Sequence, residues 1–227
     1  MRFLIVIILI LVVVITIFSF SRKFKGIRKR YSNGIDFYFT LIATIIGVLL
    51  AFYFSDLAEK RKDKQYVIDI LEISKSNVDQ NFIENKSLID LYQQVKLDSL
   101  NVAINALNYP NFTEEIIFSD SKISQYISKG TYKSLLSQFE SAKKMRNLFH
   151  TYSFNQSSLV AEQYNMTLNR ISQHIELEIE LQNGTLKENE LKKKTKALNK
   201  AFVEKTKEIN QNPIIRKSST ERKDSDK

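Results

Sequence analysis

The sequence predicts an all-α protein, a two-helix transmembrane hairpin followed by a soluble helical hairpin bundle. Two long uncharged apolar runs open the chain, and only two prolines and five glycines interrupt its 227 residues. Beyond residue 56, apolar residues recur at three- and four-residue steps, the spacing of one helix face.

The first run, residues 3–20 (FLIVIILILVVVITIFSF), holds only Thr16 and Ser19 as polar residues. Eighteen residues at a rise of about 1.5 Å cover about 27 Å, enough for the hydrocarbon core of a bilayer. Ser19 and Ser21 have the spacing of a signal-peptidase site. Against cleavage stand the long apolar run, a charged lead of only Met1 and Arg2, and the unsuitable neighbours Phe20 and Arg22. An uncleaved anchor is the expectation.

The second run, residues 37–54 (FYFTLIATIIGVLLAFYF), places Tyr38 and Tyr53 where interfacial aromatics belong, and Asp36 and Asp56 close it. Ala43, Gly47 and Ala51 repeat every four residues, with Thr40 and Thr44 near the same face. Small residues so spaced let another helix approach closely, either the first span or a second copy of the chain. Loop 21–35 carries Arg22, Lys23, Lys25, Arg28, Lys29 and Arg30, six cations that hold it in the cytoplasm and place both termini outside. Lys60, Arg61, Lys62 and Lys64 compete for the same side.

These residues carry a resemblance. KFKGIRKRY, then a span ending GVLLAF, then LAEKRKDKQ resembles a group of bacterial envelope proteins with a basic cytoplasmic lead, one span ending Gly-Val-x-x-Ala and an outward Glu-Lys-Arg-Lys helix. Gly47, Val48, Ala51, Glu59, Lys60, Arg61 and Lys62 match that pattern, and GTYKSLLSQFESA at 130–142 is a weaker echo of it. Two departures are plain: Asp56, Leu57 and Ala58 stand where a Trp-Asn is usual, and the span at 3–20 is additional. The resemblance implies no activity. It implies a topology, with the C-terminal region outside the cytoplasmic membrane.

In the soluble domain, 56–210, Val67, Ile70, Leu71, Val78, Phe82, Ile89 and Tyr92 predict a helix running on from the membrane to about Asn81. A second segment follows near 87–107, with Leu88, Leu91, Tyr92, Val95, Val102 and Leu107. Pro110 breaks the pattern. Asp120 caps a short helix expected to end at Gly130. Thr131 opens the next, striped by Leu135, Leu136, Phe139, Ala142, Met145 and Leu148.

Residues 175–182 (IELEIELQ) alternate apolar and acidic residues as a strand does. Yet Val160, Tyr164, Leu168, Ile171, Ile175 and Ile179 keep helical steps through them, so helix is expected. Asn183-Gly184 stops it. Thr185 with Glu188 forms a capping box for a last helix to about Asn210, with Leu186, Leu191, Leu198, Phe202 and Ile209 as a thin stripe. The tail, 211–227, is charged and aperiodic, hence disordered.

Charge is uneven behind the net +9: residues 1–64 carry +7, residues 65–184 carry −4 and residues 185–227 carry +6. A basic excess divided between a juxtamembrane loop and a mixed-sign tail is a poor phosphate-backbone surface, so nucleic acid is not an expected partner. No cysteine is present, which removes disulfides and thiolate metal sites.

The histidines, His150 and His174, lie far apart. His174 and Glu178 have the i, i+4 spacing of two metal ligands, but two ligands make no site, and the pair reads as an ordinary surface pair. Glu176, Glu178 and Glu180 cannot share one helix face, and no phosphate loop or nucleophile elbow occurs. Lys192, Lys193, Lys194, Lys196, Lys200, Lys205 and Lys207 either meet anionic lipid or an acidic partner, or form a solvated face interleaved with Glu188, Glu190, Glu204 and Glu208.

The functional expectation is a non-enzymatic, membrane-anchored interaction or scaffold protein of the bacterial inner membrane, without cofactor, metal or evident small-molecule substrate. Its partners would be membrane lipid and other envelope proteins, or further copies of itself. The alternative is a signal-transmitting subunit coupling an extracytoplasmic bundle to a cytoplasmic partner.

Overall fold

The structure is a computed structural model and describes residues 10, 12–14, 17, 32–95, 107–148 and 154–211. Six helices are described: α1 (Ser32–Val95), α2 (Asn111–Ser119), α3 (Ser121–Tyr126), α4 (Lys129–Leu148), α5 (Phe154–Asn183) and α6 (Glu188–Asn210). No strand occurs among the described residues. Two compact units divide the chain, Met1–Lys62 and Asp63–Lys227, and α1 contributes residues to both.

In the first unit, Ile10, Val12, Val13, Val14 and Ile17 are helical and exposed. The rest of the expected first span, and loop 21–35 up to residue 31 with all six cations, lie outside the described residues. The second apolar run is helical throughout. Phe52 is 70% exposed, and Phe37, Leu41, Ile45, Val48 and Phe54 are exposed beside it. Within Phe39–Leu91 lies a stretch long and apolar enough to cross a membrane, none of it buried in the fold. An apolar surface left entirely uncovered is costly in water and favourable in hydrocarbon. Beyond it, Asp56 and Lys60 pair one helical turn apart at 2.9 Å.

The second unit is built around Val67, Leu71 and Val78 of α1, Ile117, Ile123, Leu135, Phe139 and Ala142 of α2 to α4, and Ala161, Tyr164, Leu168, Ile171 and Ile175 of α5. α4 packs along α5, and α5 along α6. The periodicity of α5 is thereby realised as helix through residues 175–182. Phe118 stands edge-on to Tyr132 and Phe139, with ring centroids 5.3 and 5.7 Å apart.

Four expectations are corrected. The first helix does not end near Asn81 but runs to Val95, with residues 82–95 in the same helix. Asn81 Nδ2 donates to Asn77 O at 2.6 Å, and Ser87 Oγ donates to Ile83 O at 3.1 Å. Polar side chains that could have capped a break instead bond back onto carbonyls of their own helix.

Second, Gly130 does not terminate the short helix. α3 ends at Tyr126, and Gly130 sits in the first turn of α4, where Ser128 Oγ accepts from Thr131 N. Third, Thr185 does not cap α6. Its hydroxyl donates backward to Glu180 O, while Glu190 Oε2 accepts from Lys187 N at 3.0 Å. Fourth, Leu136 leaves the apolar stripe of α4 and is 41% exposed.

Other punctuation falls where the residue chemistry puts it. Pro110 precedes α2. Asp120 caps α3 by accepting from Lys122 N at 2.7 Å and Ile123 N at 3.4 Å, and its other oxygen accepts from Tyr66 OH at 2.8 Å. The Tyr66 bond, followed by these amides, holds the Asp120 carboxyl below the usual carboxylate range. Gly184 ends α5 at φ +77°, the left-handed conformation that glycine adopts without steric cost. Asn85 clamps the returning chain through both ends of its amide, donating to Asn108 O at 2.9 Å and accepting from Asn108 N at 2.7 Å.

Candidate functional site

On α5, Thr167, Arg170, His174, Glu178 and Gln182 step by three or four residues, the spacing of a single helix face. On α4 and its cap, Ser128, Thr131, Ser134, Gln138 and Ser141 do the same. The two polar stripes meet, so that a buried polar seam runs beside the apolar core.

At one end of the seam, Glu178 is fully buried, and its oxygens accept from Ser128 N, Ser128 Oγ and Gln182 Nε2 at 2.8, 2.8 and 2.9 Å. Gln182 Nε2 also donates to Tyr126 O at 2.7 Å. This carboxylate fastens the α3–α4 junction to α5. In its middle, His174 is 1% exposed, with Nε2 3.3 Å from Ser134 Oγ and Nδ1 without a partner. Burial, and then the charge of Arg170, push the imidazole down to about 4, opposed by the Asn199 side chain.

The expected surface pair His174 and Glu178 is therefore an interior pair whose members serve different partners. Helical spacing is identical on a wet face and a dry one, so only packing could distinguish them. Ser134 beside His174 superficially suggests a nucleophile and its base, but an imidazole titrating near 4 is uncharged and weakly basic at neutral pH. No acid orients its Nδ1 among the described residues. His150 lies outside the described residues. Among those described, no three acidic or histidine side chains gather as a metal site would require.

At the other end, Arg170 donates from Nη2 to Asn199 Oδ1 at 2.7 Å and stacks on Phe202, its guanidinium carbon 4.4 Å from the ring centroid. A groove of about 360 Å³ opens here between α4, α5 and α6, lined by Lys133, Ser134, Ser137, Gln138, Ser141, Met145, Thr167, Arg170 and Phe202.

Ala43, Gly47 and Ala51 are exposed on α1, and a Cβ added at Gly47 would meet nothing within 4 Å. The α6 lysines are exposed. Lys194 pairs with Glu180 at 2.8 Å and Lys200 with Glu204 at 3.7 Å, leaving a mixed-sign face. Apolar periodicity alone does not reveal the seam. Its available signal was the Ser/Thr/Gln repeat on α4 in phase with the Arg, His and Glu repeat on α5.

Comparison of the chain with protein families, curated proteins and solved structures finds no match.

Proposed function

We propose that the chain is a membrane-anchored, non-enzymatic helical protein of the bacterial envelope whose C-terminal unit binds partner proteins. The observation that carries the reading is the uncovered apolar stretch of α1, in a chain that also holds a folded helical unit. Ala43, Gly47 and Ala51 supply a face on which a second copy can pack, since small side chains allow close backbone approach where no hydrophobic effect operates. The orientation with the C-terminal unit outside the cytoplasm rests on the six loop cations.

The test is made on intact membranes. The chain stays in the pellet after an alkaline carbonate wash, and protease added to spheroplasts removes the C-terminal unit. In-membrane crosslinking gives a dimer that Gly47→Ile reduces. Release into the supernatant refutes the anchor, protection of the C-terminal unit refutes the orientation, and a monomer in wild type refutes the association. A second reading, a subunit that relays a signal to a cytoplasmic partner, is favoured by one observation: α1 holds both the apolar stretch and core residues of the second unit. Neutralising the loop cations separates the two, since a relay loses its partner and an outer scaffold keeps it.

A further inference from the structure

A guanidinium partly withdrawn from water is costly unless an anion accompanies it. Arg170 is in that position. It is half-buried, its Nε has no hydrogen-bond partner, and among the described residues no carboxylate comes within ion-pair distance of it. Desolvation by burial lowers its pKa, with no acid to offset the effect. Asn199 and Phe202 hold the group without neutralising it.

Gln138 lines the same groove and is 3% exposed. Its Nε2 donates to Ser134 Oγ at 2.9 Å, while its Oε1 is buried without a partner. Buried polar atoms are seldom left so, and two of them flank this groove. Lys133 adds a second cation on the lining, and Ser137 and Ser141 add hydroxyl donors. A volume of about 360 Å³ lies within the range of sites that hold small molecules.

We propose that this groove binds a small oxyanion, the carboxylate or phosphate group of a soluble compound, on Arg170 and Lys133, with the Ser137 and Ser141 hydroxyls as further donors. Guanidinium is suited to this because its planar fork matches either oxyanion. The site goes beyond the anchoring role and stands independently of it, since it lies wholly within the second unit.

The test is equilibrium dialysis of the full chain in detergent micelles at low salt, with radiolabelled inorganic phosphate in one arm and succinate in the other. Saturable binding of at least one probe is expected, and the arm that binds more tightly identifies the oxyanion. Arg170→Gln and Lys133→Gln each weaken it by about tenfold or more, and Lys193→Gln, on the α6 surface, leaves it unchanged. Should Arg170→Gln lose its helical circular dichroism, Lys133→Gln decides, because Lys133 is exposed and its loss leaves the core intact. Absence of saturable binding of both probes up to about 10 mM overturns the proposal. So does binding by the folded groove variants equal to that of wild type, or equal weakening by Lys193→Gln, which would mark diffuse attraction to surface lysines.

Discussion

Glu178 offers the sharpest test of the polar seam. Truncation to alanine removes the acceptor of three hydrogen bonds, but two of the donors have somewhere else to turn. Gln182 Nε2 retains Tyr126 O at 2.7 Å, and Ser128 Oγ retains Thr131 Oγ1 at 2.8 Å. Only Ser128 N–H is left unpaired, in a part-buried position, at a cost of up to about 1–3 kcal/mol. The void left by the lost side chain adds to that, and relief of a desolvated charge subtracts. A net loss of about 2–3 kcal/mol follows, close to two decades in the local opening equilibrium at about 1.4 kcal/mol per decade.

Glu178→Gln behaves differently. Its Oε1 still accepts from Ser128 N and Gln182, and its new amide can donate to Ser128 Oγ once that hydroxyl turns to Thr131. This variant stays within about 1 kcal/mol of wild type. Hydrogen–deuterium exchange over residues 126–134 of the full chain reads both outcomes. Protection there falls roughly a hundredfold in the alanine variant and little in the glutamine variant. Equal loss in the two would show that charge, not hydrogen bonding, holds the junction, and no loss in either would show that Glu178 holds nothing.

Two further predictions concern the same unit. His174 is depressed to about 4 from an ordinary 6.5, so the unfolded chain takes up the proton first as pH falls. Its contribution is complete above about pH 6.5 and is lost on the way down to pH 4, by about 3 kcal/mol, and His174→Gln abolishes that part of the slope in denaturant melts between pH 4 and 7. Phe139 is fully buried against Phe118 and Tyr109, so Phe139→Ala costs about 3–5 kcal/mol in the same melts, whereas Leu136→Ala, on the exposed side of α4, costs under about 1 kcal/mol.

The sequence alone determined whatever depends on neighbours along the chain. Helical steps from Val160 to Ile179 prevailed over the strand-like alternation of IELEIELQ, because a helix satisfies its own backbone whereas a lone strand needs a partner. Pro110 and Gly184 punctuated the chain through φ and donor restrictions that act locally. The apolar run of α1 declared itself by composition.

Tertiary structure decided the rest. Asn81, Ser87 and Thr185 can each end a helix or bond back onto it, and residue type alone does not distinguish the two. Whether Glu178 and His174 sit in water or in the interior depends on which face of α5 receives α4 and α6. Periodicity places residues on a face but does not say what covers it. The groove beside Arg170 was hidden for the same reason, since it exists only where side chains from three helices, far apart in the chain, converge without filling the space between them.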